Sequence, residues 1–398
     1  MRVFKGSFTQ QEPIPQEAIE AATEVMRSGR LHRYNTAPGE TAEAALLEAE
    51  YAAYQGAKYC LACTSGGATM AFALRAAGVA PGEAVLTNAF TLAPVPGAIA
   101  AVGARPVFVE TTDNLTIDLD DLAAKAQSSG ASILLLSHMR GHLVDMDALA
   151  KVLADHNITL IEDCAHTMGA TWNGTKSGNF GLAGCFSTQT YKHMNSGEGG
   201  FLTSDDPAFM ARAIMLSGSY MLYERHGAAP PAEAFTDARL NTPNMSARMD
   251  NLRAAILRPQ LRTLDSAIAR WNARYQAVEA VLKGTPGVKV PVRPREEFYV
   301  GSSFQFLAPG ISEAAANALL AGCAARGVEL KWFGAKDPVG FTSNHQSWRY
   351  VDPQALPQTD RVLAGLFDMR LPLTFSVEDC ELIAAIIKEE LERVLQPA

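Results

Sequence analysis

The 398-residue chain has no apolar run near the ~20 residues that a membrane-spanning helix needs. Positive charge is in deficit: 34 Lys and Arg face 42 Asp and Glu, for a net charge of −8 with histidine neutral. That balance argues against a surface built to coat nucleic acid or an anionic membrane. Cysteine is scarce, and six residues in a chain of this length do not make a disulfide framework. Cys60 and Cys63 form a lone C-x-x-C with no second pair and no His-x-x-x-His nearby. A zinc site and a redox pair therefore both lack support, and no metal is expected. Cys164 and Cys185 lie in or beside apolar runs and read as small buried hydrophobes. The opening MRVFKGSFTQQEP reaches polar residues and Pro13 before any apolar signal core, which leaves the cytoplasm as the expected compartment. Also missing are a G-x-G-x-x-G after a strand, a Walker loop, H-E-x-x-H and G-x-S-x-G. Nicotinamide, ATP and zinc-protease chemistry lose their usual signatures.

What is present, 48% hydrophobic and 19% charged residues, suffices for a sizeable core in two or three folded units. Over the first two-thirds, short β-branched runs alternate with helical patterns. The spacing predicts strands at 84–87, 106–110, 133–137, 158–162, 184–188 and 200–203, and helices near 68–77, 92–102, 119–126 and 146–155. Such alternation calls for an α/β fold with a mostly parallel sheet, whose ligand sits at the C-terminal ends of the strands. Residues 219–247 break the pattern in a stretch long enough to be functional or partner-facing. A long helical region is predicted from 249 to 282, with Leu252, Ile256, Leu261, Leu264, Ile268 and Trp271 near helical spacing as its core stripe. GTPG at 284–287 then punctuates. The expected division is a large domain of 1–285, with an N-terminal arm, and a small α+β domain of 286–398.

Three segments at predicted strand ends carry chemistry. Thr64-Ser65-Gly66-Gly67 precedes a helix; Ser65 is a natural N-cap, and the glycines let backbone N–H groups approach an anion. A plain capped turn has the same sequence. Glu162-Asp163 ends ITLIED, with His166 three residues on; a carboxylate there either holds a protonated ring nitrogen or solvates a strand end. Lys192 stands between a strand and a glycine-rich turn, where a desolvated amine condenses with an aldehyde. Joined, the three are a phosphate cradle, a pyridinium partner and an aldehyde-binding amine, the requirements of pyridoxal 5'-phosphate.

In order and spacing, the segments CTSGGATMAFALRAAGVAPGEAVLTNAFT, VGARPVFVE, HMRGHLVDMDAL, IEDCAHTMGA, CFSTQTYKHMNSGEGGFLTSDD and RMDNLRAAIL, then LPQTD and LPL, resemble one family. It is the DegT/DnrJ/StrS family of sugar aminotransferases, fold-type I pyridoxal-phosphate enzymes, matched from about Gly29 to the C-terminus. The resemblance implies a mostly parallel-sheet large domain and a small α+β C-terminal domain. It implies that Lys192 forms the Schiff base with pyridoxal 5'-phosphate and, once displaced, shuttles the proton. Asp163 would keep the pyridine nitrogen protonated, and His166 would lie against the ring near its phenolic oxygen. Ser65, Gly66, Gly67 and the Ser187 hydroxyl would hold the phosphate, with Gly199 and Gly200 allowing the turn behind the lysine. The implied reaction is ping-pong transfer of an amino group from glutamate or glutamine to a keto sugar or cyclitol-like ketone. A homodimer with sites at the subunit interface is implied as well.

Three departures from the family stand out. Relatives carry an aromatic that stacks on the cofactor where NAFTLAP has Leu92, an apolar wall without a stack. Relatives have Gly-Thr where this chain has Gly66-Gly67, one hydroxyl fewer for the phosphate. The family's N-x-R-M motif, whose Asn reaches the neighbouring subunit's phosphate, reads NMSARM; Asn244 is the candidate, two residues further from Arg248 than the motif allows. Further candidates for substrate or partner contact are Arg30, His32, Arg33 and Tyr34; His138, Arg140 and His142; Tyr220, Tyr223, Arg225 and His226; and Trp332, Phe333 and Gly334. A solvated arm, loop hydrogen bonding and core packing are their plainer alternatives. Two rival functions share the cofactor. One is a dehydratase or lyase, whose relatives replace the lysine by histidine, as His193 next door brings to mind; the other is a sensor that binds the cofactor without turnover.

Overall fold

Apolar five-residue runs bounded by turn residues fold here as buried strands. The computed structural model describes residues 2–395. Its main sheet comprises β1 (Tyr59–Cys63), β2 (Ala84–Asn88), β3 (Arg105–Val109), β4 (Ile133–Ser137), β5 (Thr159–Asp163), β6 (Ala183–Ser187) and β7 (Gly200–Ser204). The spatial order is β1-β7-β6-β5-β4-β2-β3. β2 runs parallel to β3 and β4, β4 to β5, and β5 to β6, while β7 is antiparallel to both neighbours. β4 and β6 are buried at every position because helices cover both faces. Alternation sends Leu134 and Leu136 into one core and Ile133 and Leu135 into the other.

The sequence reading misses β1, taking KYCLAC only as a C-x-x-C. In a strand, a three-residue spacing points side chains to opposite faces: Cys60 packs in one core and Cys63 in the other. The pair therefore cannot share a metal or a disulfide. All six cysteines are free and buried, and burial pushes the thiols of Cys60, Cys63, Cys164 and Cys185 up.

The predicted continuous helix is two, Asn251–Arg262 and Leu264–Leu282, parted at Thr263. Its core stripe also differs. Leu261, Leu264, Ile268 and Trp271 are buried, but on the first helix the buried side is Ala254, Leu257 and Leu261. At 100° per residue, Leu252 and Ile256 fall on the opposite side, and both are only half-buried.

A second sheet of β8 (Ser303–Leu307), β9 (Lys331–Trp332) and β10 (Leu366–Arg370) has the antiparallel order β8-β10-β9. Its register puts Ser303 opposite Arg370, and both Gln305 and Lys331 opposite Asp368. One face is thus polar. The other, with Phe304, Phe306, Trp332, Phe367 and Met369, packs into a core shared with Phe4, Phe8, Tyr275, Val278 and Leu282. Among the described residues no helix is long and apolar enough to cross a membrane.

Within GRLHRYN, Leu31, His32 and Asn35 are exposed and Arg30 half-buried, whereas Arg33 and Tyr34 are buried. Arg33 is fully buried, and its two terminal nitrogens each lie 2.7 Å from an oxygen of Glu48. Glu48 also accepts the Ala62 N–H at 2.8 Å and lies 3.2 Å from His226 Nε2. The Tyr34 hydroxyl is 3.0 Å from His226 Nδ1, and Arg225 donates to the Tyr34 carbonyl at 2.7 Å. Tyr223 stacks on Phe235 at 4.5 Å. These candidates fasten the irregular stretch to β1 rather than facing a ligand. Burial raises the Glu48 carboxyl, and Arg33 and His226 overcome that effect to leave it at about 2. We predict that Glu48→Gln, which strands the Arg33 charge, costs about 3–5 kcal/mol in urea unfolding at pH 7. Because the carboxyl is depressed on folding, its contribution is complete above its unfolded value of 4.5 and fades as pH falls toward about 2. The gap between variant and wild type should close over that window. Equal midpoints at pH 7 would contradict this account.

Candidate active site

β4, β5 and β6 end in Ser137, Asp163 and Ser187, and the helix Gly66–Ala76 begins beside them. Together they border a cavity of about 420 Å³. Gly66, Gly67, Asp163, His166, Ser187 and Lys192 line it, with Met70, Leu92, Pro94, Val95, Met139 and Ala165 as apolar walls. Of the site residues expected from sequence, only Ser65 and Asn244 are absent from this lining. Ser65 stands next to it as the N-cap, its Oγ accepting the Ala68 N–H at 3.1 Å. The helix start sits this close to the sheet because Gly200 has no side chain: a Cβ there would lie 2.6 Å from Gly66 N and 2.6 Å from the Phe186 carbonyl oxygen. Gly200 thus serves close packing under the cradle. A Cβ on Gly66 would likewise press on Ser187 at 2.9 Å, whereas one on Gly67 would make only ordinary van der Waals contact, nothing being nearer than 3.8 Å.

Asp163 is buried and only partly satisfied. Oδ2 accepts from the Ser137 hydroxyl at 2.8 Å, and Oδ1 from the Ala165 N–H at 3.1 Å. Lys192 Nζ lies 2.8 Å from His166 Nε2, while His166 Nδ1 accepts the Arg140 N–H at 3.4 Å. With Nδ1 accepting, the imidazole proton sits on Nε2, which donates to Lys192 Nζ when that amine is uncharged. Burial lowers His166 well below the usual histidine value, and the Lys192 and Arg140 charges add to the effect. Burial, with Arg140, also lowers Lys192 to about 8 against the opposing pull of Asp163. Roughly a tenth of such an amine is uncharged at pH 7, so the arrangement offers a nucleophilic nitrogen.

A second chamber of about 500 Å³ shares Leu92, His166 and Lys192 with the first and adds Arg140, Gln189, Tyr191, Lys331, Phe341 and Arg370. Its roof is the polar face of the small sheet. Arg140, in the left-handed region at φ 57°, reaches across to Asp368 at 2.7 Å. Asp368 also accepts from Gln305 Nε2 at 2.8 Å. The Arg370 guanidinium lies 3.9 Å from the Tyr191 ring centre.

The remaining candidates separate cleanly. His138 binds Glu162 at 2.9 Å and His142 binds Gln305 at 2.8 Å, so of SHMRGH only Arg140 faces the chamber. Trp332 donates to the Ala364 carbonyl at 2.9 Å from within the core, and Phe333 packs edge-on against Phe90. The sequence reading misses Lys331, Arg370 and Tyr191. The available signal was strand alternation in KWFG, which turns Lys331 to the site whenever Trp332 turns to the core. Asn244 is exposed and, among the described residues, accepts only from Ser246 in its own loop. Ser246, two residues before Arg248 where the N-x-R-M motif places Asn, has φ 50°, a conformation Asn tolerates better than most residues.

The sequence profile of the DegT/DnrJ/EryC1/StrS aminotransferase family matches residues 13–388, starting earlier than the motifs alone suggest. A 3-amino-5-hydroxybenzoate synthase of Amycolatopsis mediterranei is 34% identical over 69% of this chain and 69% of its own. A dTDP-3-amino-3,4,6-trideoxy-alpha-D-glucose transaminase of Streptomyces venezuelae is 32% identical over 71% of this chain and 69% of its own. Matches to the curated relatives span about two thirds of their length, 64% in one case. The fold agrees with the aminotransferase TlmJ from Streptoalloteichus hindustanus at a TM-score of 0.82 and 21% identity, over 98% of this chain and 99% of that one. Matched by the profile over nearly all its length, the chain belongs to the DegT/DnrJ/EryC1/StrS aminotransferase family.

Proposed function

We propose that the chain is a pyridoxal-phosphate-dependent aminotransferase that moves an amino group from glutamate or glutamine to a keto sugar or cyclitol-like ketone. One observation carries the reading: a half-buried lysine amine with a lowered pKa stands in one cavity with a helix N-terminus and a buried carboxylate. The residues fit that cofactor. A Cβ at Gly66 would crowd Ser187, so the cradle keeps its backbone N–H groups bare for a phosphate, and Asp163 is a buried acceptor for a ring N–H. Pyridoxal phosphate, when bound, supplies a ring that takes up the electrons released at the substrate carbon.

The chain's own groups do the rest. Lys192 Nζ accepts and returns a proton, and His166 Nε2 orients that nitrogen. Ser137 holds Asp163 in place. Ser65, Gly66, Gly67 and Ser187 would bind the phosphate, and Leu92 walls the ring without stacking on it. The transaminase named among the relatives acts on a dTDP-amino sugar, which supports the acceptor class. His193 gives no support to a lyase: its Nε2 is 3.1 Å from Ser302 Oγ, and its ring packs edge-on against Trp271. We place the protein in the cytoplasm as a homodimer, with exposed Tyr220, Met221, Asn244 and Met245 facing the partner. We divide it at residue 285 into a cofactor-holding unit and a covering unit.

Adding glutamate or glutamine to the purified protein should bleach the cofactor's visible absorbance. Lys192→Ala should abolish borohydride fixation of the cofactor and slow turnover at least about 10²–10⁴-fold; no bleaching with any amino acid would sink the transaminase reading. Since only the uncharged amine attacks, covalent loading of the cofactor-free protein should speed up about tenfold per pH unit and level off above about 8. A flat profile from pH 6 to 9 would argue against a lowered lysine. Gly67→Thr, whose Cβ would make only ordinary van der Waals contact, restores the relatives' hydroxyl. It should tighten cofactor binding roughly 2–10-fold by equilibrium dialysis, and weaker binding would contradict the proposed phosphate site.

A further inference from the structure

β2 ends in Asn88, which does not line the cavity, yet its side chain is tied to the edge that carries Asp163. β2 and β4 are bridged at Leu86 opposite Leu134. Beyond that point the buried Asn88 carboxamide joins them. Its Oδ1 accepts the Ser137 N–H at 2.8 Å, and Nδ2 donates to the Ser137 carbonyl at 3.1 Å and to the Phe90 carbonyl at 2.8 Å. On the β5 side, the His138 N–H donates to the Asp163 carbonyl at 3.1 Å and the Ser137 hydroxyl to Asp163 Oδ2 at 2.8 Å. Ser137 is therefore gripped from both flanks. Asp163 carries one neutral donor on each oxygen, Ser137 Oγ and the Ala165 N–H, and two such bonds fix the plane of a carboxylate.

We infer that Asn88 is a positioning residue of the transamination: it fixes the Ser137 backbone, so that the Ser137 hydroxyl holds the Asp163 carboxylate toward the cofactor's ring nitrogen. The inference rests on the transaminase reading and extends the support of Asp163 one strand deeper. Removing the carboxamide takes from the buried Ser137 N–H its 2.8 Å acceptor, and a buried backbone group moves to find another partner. The hydroxyl moves with the backbone. A ring nitrogen holds its proton best against a carboxylate in hydrogen-bonding geometry, so a displaced Asp163 loosens that proton. The plainer role for Asn88 is to close the end of the β2–β4 pairing, which would contribute to stability and leave the ring nitrogen untouched.

The test uses holoprotein carrying pyridoxal phosphate labelled at the ring nitrogen, whose protonation is followed by NMR as pH rises. Asn88→Ala and Ser137→Ala should each lower the pH at which that proton is lost by about half to one unit. Both should weaken binding of pyridoxamine phosphate about 3–10-fold in calorimetric titration. Asn88→Ser, which leaves a polar group in the gap, should show the same losses to a lesser extent. Because Asn88 acts through Ser137, the double variant should match Ser137→Ala in both readouts within about twofold. Ser137→Thr keeps the hydroxyl and should stay near wild type. For an analogue with carbon in place of the ring nitrogen, all these proteins should bind alike. A lowered urea midpoint in both Asn88 variants with an unchanged ring-nitrogen titration would overturn the inference, and so would an equal loss of affinity for the carbon analogue. Asp163→Ala tests the reading beneath it separately. If that variant leaves the ring-nitrogen titration unchanged, or if the wild type binds no pyridoxal phosphate, the reading itself fails and the inference falls with it.

Discussion

Ser137 lies opposite Asp163, and Asp163 opposite Cys185, because β4, β5 and β6 run parallel and in register. Parallel pairing aligns the C-terminal ends of three buried strands, so whatever residue follows each apolar run arrives at the same edge. The small-sheet roof, the helix N-terminus and the lysine turn are arranged around that edge. Gly200 adds the second condition by letting the Gly66–Ala76 helix settle onto β6 and β7. Without both, the anion cradle and the carboxylate would not face one cavity.

Electrostatics in this molecule is local rather than global. The net charge is −8, yet Arg140, Lys192, Lys331 and Arg370 converge on one chamber. Burial, reinforced by the neighbouring guanidinium charges, leaves Lys192 and Lys331 near 8. Far from the chamber, the Arg33–Glu48 pair uses the same physics for fastening: two buried opposite charges, closely paired, tie a loop to a strand.

Apolar runs such as ILLLS were legible as strands because burial on both faces leaves no other composition available. The polar residues after them followed at once, which is why Asp163, His166 and Lys192 were nameable from the residues, while Ser187 came from the family resemblance. KYCLAC was misread because its cysteines drew attention from its strand pattern. Lys331 and Arg370 were hidden differently. β9 has two residues, and β10 mixes charged with apolar positions, so neither shows a run long enough to assign a face.

The sequence by itself determined the alternating strands and helices, the capped glycine start and the lysine turn, since each depends on neighbours within a few residues. Only the tertiary structure decided which charges meet. It buried Arg33 rather than solvating it, turned His138 and His142 to inward partners, and set Lys331 and Arg370 over the site. The last of these depends on register between strands more than 30 residues apart, where a shift of one residue would reverse every side chain.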